Sequence, residues 1–166
     1  MAWVKSEYAG ELAVLSTWLV GLAPWSVSVF SQRGFSVAAL RFLPFRFQFI
    51  FGAQFTGERP FLWTWEVPGF VASGELTLGA TLGAVAFGVY AVAFALSLFY
   101  YVEEERLEAR SPVDPVRLSG GLLGAVALLT LAATALFVLY FPGVTLPVGA
   151  AVAAVLAAVL LRVDRA

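Results

Sequence analysis

Histidine and cysteine are both missing from this chain, and lysine occurs once, at Lys5. Without histidine there is no imidazole to move protons near neutral pH, bind zinc or hold a haem. A Ser-His-Asp triad is impossible. Without cysteine, thiol catalysis, iron–sulfur clusters, disulfides and a lipid anchor on Cys all drop out, and no redox compartment can be inferred. Charge is scarce too. Ten basic against eleven acidic residues leave a formal −1, with no basic stripe, so nucleic acid is not an expected partner.

The few charges leave long gaps between them. No Asp, Glu, Lys or Arg occurs from Leu12 to Gln32, from Leu76 to Val102, or from Leu118 to Leu161. A helix needs roughly 20 apolar residues to cross the hydrocarbon core. The expected fold is therefore an all-α integral membrane protein forming a single membrane domain over 1–166. Its four transmembrane helices fall near 12–30, 76–101, 116–140 and 146–162. Glu7 and Glu11 do not suit the basic n-region of a signal peptide, so the first span reads as uncleaved. Pro24 should kink it. The second span, about 39 Å long at 1.5 Å per residue, must tilt or protrude. It should continue into water through Glu103–Arg110, with Glu103 and Arg106 pairing, and stop before Pro112. Asp114-Pro115 reads as an N-cap followed by proline at the first helical position. Phe141-Pro142-Gly143 should turn the chain, with Thr145 capping the last helix.

The segment 31–75 has a different rhythm. Phe45, Phe47, Phe49 and Phe51 alternate with Arg46, Gln48 and Ile50, and the period of two returns at Phe61, Trp63, Trp65 and Val67. This predicts an interfacial β-hairpin over 41–67, its aromatic residues turned toward the bundle or the lipid headgroups. The competing reading is a re-entrant helix or fifth span from Phe35 to Phe55. That would put Arg41 and Arg46 in hydrocarbon at about 2.5–3.5 kcal/mol each. Arg117, Arg162 and Arg165 flank the last two spans while the turn between them is uncharged. Together with Lys5 they place both termini and the Glu103–Asp114 loop in the cytoplasm, against the dissent of Arg33, Arg41, Arg46 and Arg59 in the long first loop.

No group in the spans marks transport or catalysis. Only hydroxyls such as Ser16, Thr17, Thr81, Ser97, Thr130 and Thr134, with Tyr90, lie between the flanking charges. Glu103, Glu104, Glu105, Glu108 and Asp114 lack the spacing of a calcium loop and read as a solvated helix extension. No catalytic, cofactor or metal residue is assigned. Gly79 and Gly83, and Gly120 and Gly124, are spaced for close helix packing. Trp63 and Trp65, with Phe47 and Phe49, are the candidate partner-binding residues. The Ala23-Pro24-Trp25-Ser26-Val27 stretch, the Phe-rich segment after it and the Gly143–Val148 start of the last span resemble a group of small uncharacterised four-span membrane proteins of halophilic archaea. That resemblance implies a cell-membrane protein and carries no site residues over.

The expected function is a non-enzymatic multi-pass membrane protein, a structural or accessory subunit that binds a protein or lipid partner. The alternative is one subunit of a homo-oligomeric channel or small-solute carrier. A membrane enzyme using Glu58, Arg59 and Glu66 is the third reading.

Overall fold

The computed structural model describes residues 8–53, 57, 59–71, 74–102 and 114–163. In chain order the elements are α1 (Ala9–Leu22), β1 (Ser26–Gln32), β2 (Phe35–Arg41), β3 (Phe45–Phe51), β4 (Phe61–Trp63), α2 (Val67–Phe70), α3 (Gly74–Val102), α4 (Pro115–Tyr140), β5 (Val144–Leu146) and α5 (Val148–Arg162). The strands join in one antiparallel sheet of order β4-β3-β2-β1-β5. The fold is thus mixed α/β, which corrects the expectation of an all-α four-span bundle.

Two of the four expected spans stand as helices long and apolar enough to cross a membrane, α3 and α4. The other two do not. With 14 and 15 residues, α1 and α5 measure about 21 and 22 Å, short of the roughly 30 Å hydrocarbon thickness. Pro24 ends the first helix instead of kinking it. It biases the preceding residue out of the helical region, and Ala23 is extended at φ −85°, ψ 134°. The Ser26-Val27-Ser28-Val29 alternation that follows is a strand. At the other end, Val144, Thr145 and Leu146 pair with Val29, Ser28 and Val27. Thr145 therefore serves the sheet, its hydroxyl 2.7 Å from that of Ser28, and does not cap α5.

The hairpin expected over 41–67 is present as β3–β4, pairing Phe45 with Trp63 and Phe47 with Phe61. It is only part of a larger meander. Gly34, at φ 100°, makes the tight turn that returns β1 into β2. Both edge strands span three residues each, a length that limits edge-to-edge pairing with other chains. Residues 35–51 are strands, so no fifth helical span runs through Arg41 and Arg46. The expected helix extension and acidic loop over 103–113 lie outside the described residues.

Close approach of elements depends on small residues. The Asp114 carboxylate caps α4 by accepting from the Val116 N–H at 3.0 Å. Against α3, Gly79 faces Phe137 and Ala133 of α4, while Gly83 faces the Trp25 ring. Gly120 faces Leu160 and Leu161 of α5, and Gly124 faces Ala157. α1 runs antiparallel to α3, with Gly21 against Tyr90 and Gly10 against Tyr100. The half of α3 nearer its start consequently meets the sheet, and the other half meets α1. The buried core runs through Val20, Trp25, Leu123, Val126, Ala133, Phe137 and Leu160.

A tight join between α5 and the chain after α1 lies at Gly149, whose N–H donates to the Pro24 carbonyl at 2.8 Å. A Cβ there would sit 2.6 Å from that oxygen. Gly149→Ala should therefore destabilise by about 1–3 kcal/mol through forced separation. Gly88→Ala, where a Cβ meets nothing within 4 Å, should be neutral or stabilising by up to about 1 kcal/mol. Thermal unfolding of both variants in one detergent measures the contrast.

Candidate functional site

Residues paired across an antiparallel ladder share a face, and neighbours along a strand point to opposite faces. The register therefore sorts every strand residue. One face carries Ser26, Ser28, Ala39, Arg41, Arg46, Gln48, Leu62 and Thr145, and toward the far end of the strands Phe30, Gln32, Phe35, Val37 and Ile50. The other carries Val27, Val29, Leu40, Phe45, Phe47, Phe49, Phe51, Phe61, Trp63, Val144 and Leu146, with Ser31, Ser36 and Ala38 among them. Burial shows which face meets the helices. Ser26 and Ser28 are 0% exposed and Arg41 5%, whereas Phe51 is 60% and Val144 66% exposed. Around Arg41 the inner face is polar, and most of the sheet's aromatic residues lie on the outer face. This corrects one of the two directions expected for the aromatic residues of the strands, which turn away from the bundle, while Trp65 beyond β4 reaches a helix.

On the outer face the rings form a continuous ladder. Phe45 and Phe47 lie 5.3 Å apart, Phe47 and Phe61 5.4 Å, and Phe61 and Trp63 5.1 Å. Trp63 stacks flat on Trp65 at 5.1 Å and 4°. Trp65 then reaches Phe87 of α3 at 6.2 Å, joining the ladder to the helix surface. Glu66 fixes the turn that brings the two tryptophans together. Its carboxylate accepts from the Trp63 N–H at 3.0 Å and pairs with Arg59 at 3.4 Å. Of the residues considered for a membrane enzyme, Arg59 and Glu66 are thus engaged with each other at this turn, and Glu58 lies outside the described residues.

The inner face holds a buried cation. The Arg41 guanidinium lies over the Phe137 ring, 3.9 Å from its centroid. One of its terminal nitrogens donates to the hydroxyls of Ser28 and Ser26. Arg46 stands directly across the ladder from Arg41. Burial, with the nearby charge of Arg46 second, pulls Arg41 down from its ordinary value to about 9. Burial also lowers Arg46. Among the described residues the only ion pair is Arg59–Glu66, so neither arginine meets a carboxylate. A small cavity of about 10 Å³ lies here, lined by Trp25, Arg41, Arg46, Thr64 and Phe137 among others.

The sequence-selected residues Phe47, Phe49, Trp63 and Trp65 all contribute to the outer ladder. Gly79, Gly83, Gly120 and Gly124 lie elsewhere, at contacts within the chain. In the sequence, Arg41 and Arg46 bear on the cost of a span in hydrocarbon and on the orientation of the chain, and not on a buried site. Their alternation with the Phe residues was the available signal for a shared buried face. No group of three or more His, Cys, Asp or Glu residues that could hold a metal occurs among the described residues.

These features define a small helix-and-sheet protein whose sheet is inverted, polar against its helices and aromatic on its free face. The chain matches the model of a family of unknown function, DUF7549, over residues 2–165, and belongs to that family. No curated protein matches it.

The lowered Arg41 value has a consequence for stability. Above about pH 9, and below the ordinary arginine range, the unfolded chain binds the proton that the folded chain has released. Stability should then rise as pH climbs through about 9 at low salt, and the burial penalty should act in full below it. Equilibrium unfolding of wild type beside Arg41→Met measures this, since the variant should lack that part of the rise.

Proposed function

We propose that this chain is an integral membrane protein without a catalytic centre of its own, which binds lipid through the aromatic face of its sheet. The observation that carries the reading is the inversion of the sheet. In water, a one-sided sheet buries its apolar face and exposes its polar one. Here the outer face presents aromatic and aliphatic side chains, which favours an apolar neighbour over water. The helices agree, since exposed positions on α3 and α4 are filled by Leu78, Val85, Val92, Phe99, Leu128 and Leu139.

Placement follows from two constraints. α3 and α4 can cross the hydrocarbon, and open sheet edges are not tolerated within it. The sheet therefore sits at the headgroup layer beside the starting end of α3, where tryptophan is favoured. The resemblance to small archaeal membrane proteins supports the same location, in the cell membrane. The basic residues Arg117 and Arg162 near the opposite helix ends favour that end for the cytoplasm. Lipid is the occupant most compatible with a ladder that runs unbroken from Phe45 to Phe87 on α3.

Fluorescence quenching in vesicles tests this. Lipids brominated close to the headgroup should quench the wild-type protein more strongly than lipids brominated near the chain ends. Trp63→Phe combined with Trp65→Phe should remove most of that difference. Equal quenching in wild type and double variant, together with strong quenching of wild type by aqueous iodide, would place the ladder in water and defeat the proposal.

A further inference from the structure

The cavity between Arg41 and Arg46 is the second candidate for binding, and it stands apart from the outer ladder. We propose that it is a halide site: one chloride-sized anion seated between the two guanidinium groups, inside the seam where the sheet meets the helices.

Three observations point there. The first is charge. Two arginines occupy directly paired positions on the buried face, where like charges repel. A buried charge without a counter-charge is costly, and no carboxylate reaches either of them among the described residues. The serine hydroxyls and the Phe137 ring soften the environment of Arg41 without neutralising it. The second is unused donors. The Nε groups of Arg41 and Arg46 are both sealed from solvent and lack an acceptor. Arg41 is itself only 5% exposed. An N–H pair that both needs an acceptor and surrounds a positive potential is suited to an anion.

The third observation is size. The space of about 10 Å³ is close to what a single water needs by that measure. A monatomic halide is near this size, whereas phosphate or a lipid headgroup is not. A lone water would supply an acceptor but leave both charges uncompensated. The Thr64 hydroxyl, from the residue after β4, lines the same cavity and can donate to the ion. The rest of the lining, from Trp25, Phe42, Phe45, Val67, Ala80 and Phe137, is largely apolar, and a low local dielectric strengthens the attraction between ion and guanidinium.

The inference does not depend on the lipid reading and is tested without lipid. The full chain, purified in a neutral detergent, is unfolded thermally in sodium chloride or bromide and in sodium gluconate at equal ionic strength. A ligand that binds only the folded state stabilises it in proportion to the logarithm of its concentration beyond half-saturation. Each tenfold rise in chloride should then raise Tm by roughly 3–5 °C, with no such rise in gluconate. Arg46→Gln, which removes a guanidinium that donates no hydrogen bond among the described residues, should abolish the dependence. Arg59→Gln, at the surface, should keep it. The chloride-35 NMR line should broaden with wild-type protein and narrow again on adding bromide, which decides the matter if Arg46→Gln does not fold. Identical Tm values in chloride and gluconate, a dependence retained in Arg46→Gln, or an unbroadened chloride line would each overturn the proposal.

Discussion

Arg41 is enclosed by the Phe137 ring on one side and the Ser26 and Ser28 hydroxyls on another, and the orientation of the sheet follows from that enclosure. Once Arg41 faces the helices, its ladder partners Ser26 and Arg46 must face them too. The period of the strands then sends every intervening side chain outward. Phe45, Phe47, Phe61 and Trp63 have no freedom to turn in without turning Arg41 out, because a one-residue slip reverses both faces at once. The aromatic exterior and the polar interior are one constraint seen from two sides.

The helices are shaped around the same seam. α1 stops at Leu22 and α5 starts at Val148, so neither continues beside α3 and α4 at the end of the bundle nearer the sheet, where the short α2 packs on α3 through Val67 and Ala80. β1 and β5 fill the vacated space, and the contact of Gly149 with Pro24 joins the ends of the shortened helices. Small residues recur where bulky ones must fit: Gly79 under Phe137 and Gly83 under Trp25. Those two rings also wall the arginine cavity. The glycines that let α3 approach α4 therefore also set the depth of the buried polar site, linking helix packing to electrostatics.

Much of this was legible in the sequence, though not its most consequential part. The long charge gaps identify α3 and α4, and Asp114-Pro115 marks where α4 begins. The Phe/Trp alternation identifies β3 and β4. A charge gap cannot distinguish an apolar helix from a strand that is also uncharged, which is why Ser26–Gln32 read as the end of a span. Its Ser-Val-Ser-Val alternation was the overlooked signal. β5 is three residues long and exists because Val144, Thr145 and Leu146 meet β1 across more than a hundred residues of chain; no local pattern reports that. Alternation likewise gives a period without a direction. The ordinary expectation that rings turn inward fails here because Arg41, Ser26, Ser28 and Thr145 bond one another on the inner face and Arg41 stacks on Phe137.

The direction of the faces can be read residue by residue, and the absence of native cysteine makes the labelling clean. Single cysteines placed in turn from Phe45 to Phe51 would carry a nitroxide in protein reconstituted into vesicles. Spin-label mobility and accessibility to oxygen should alternate strictly, high at 45, 47, 49 and 51 and low at 46, 48 and 50. The opposite phase would put the aromatic residues against the helices, and a repeat of 3.6 would replace the strand with a helix. Either result would contradict the inverted sheet from which the rest of this account is built.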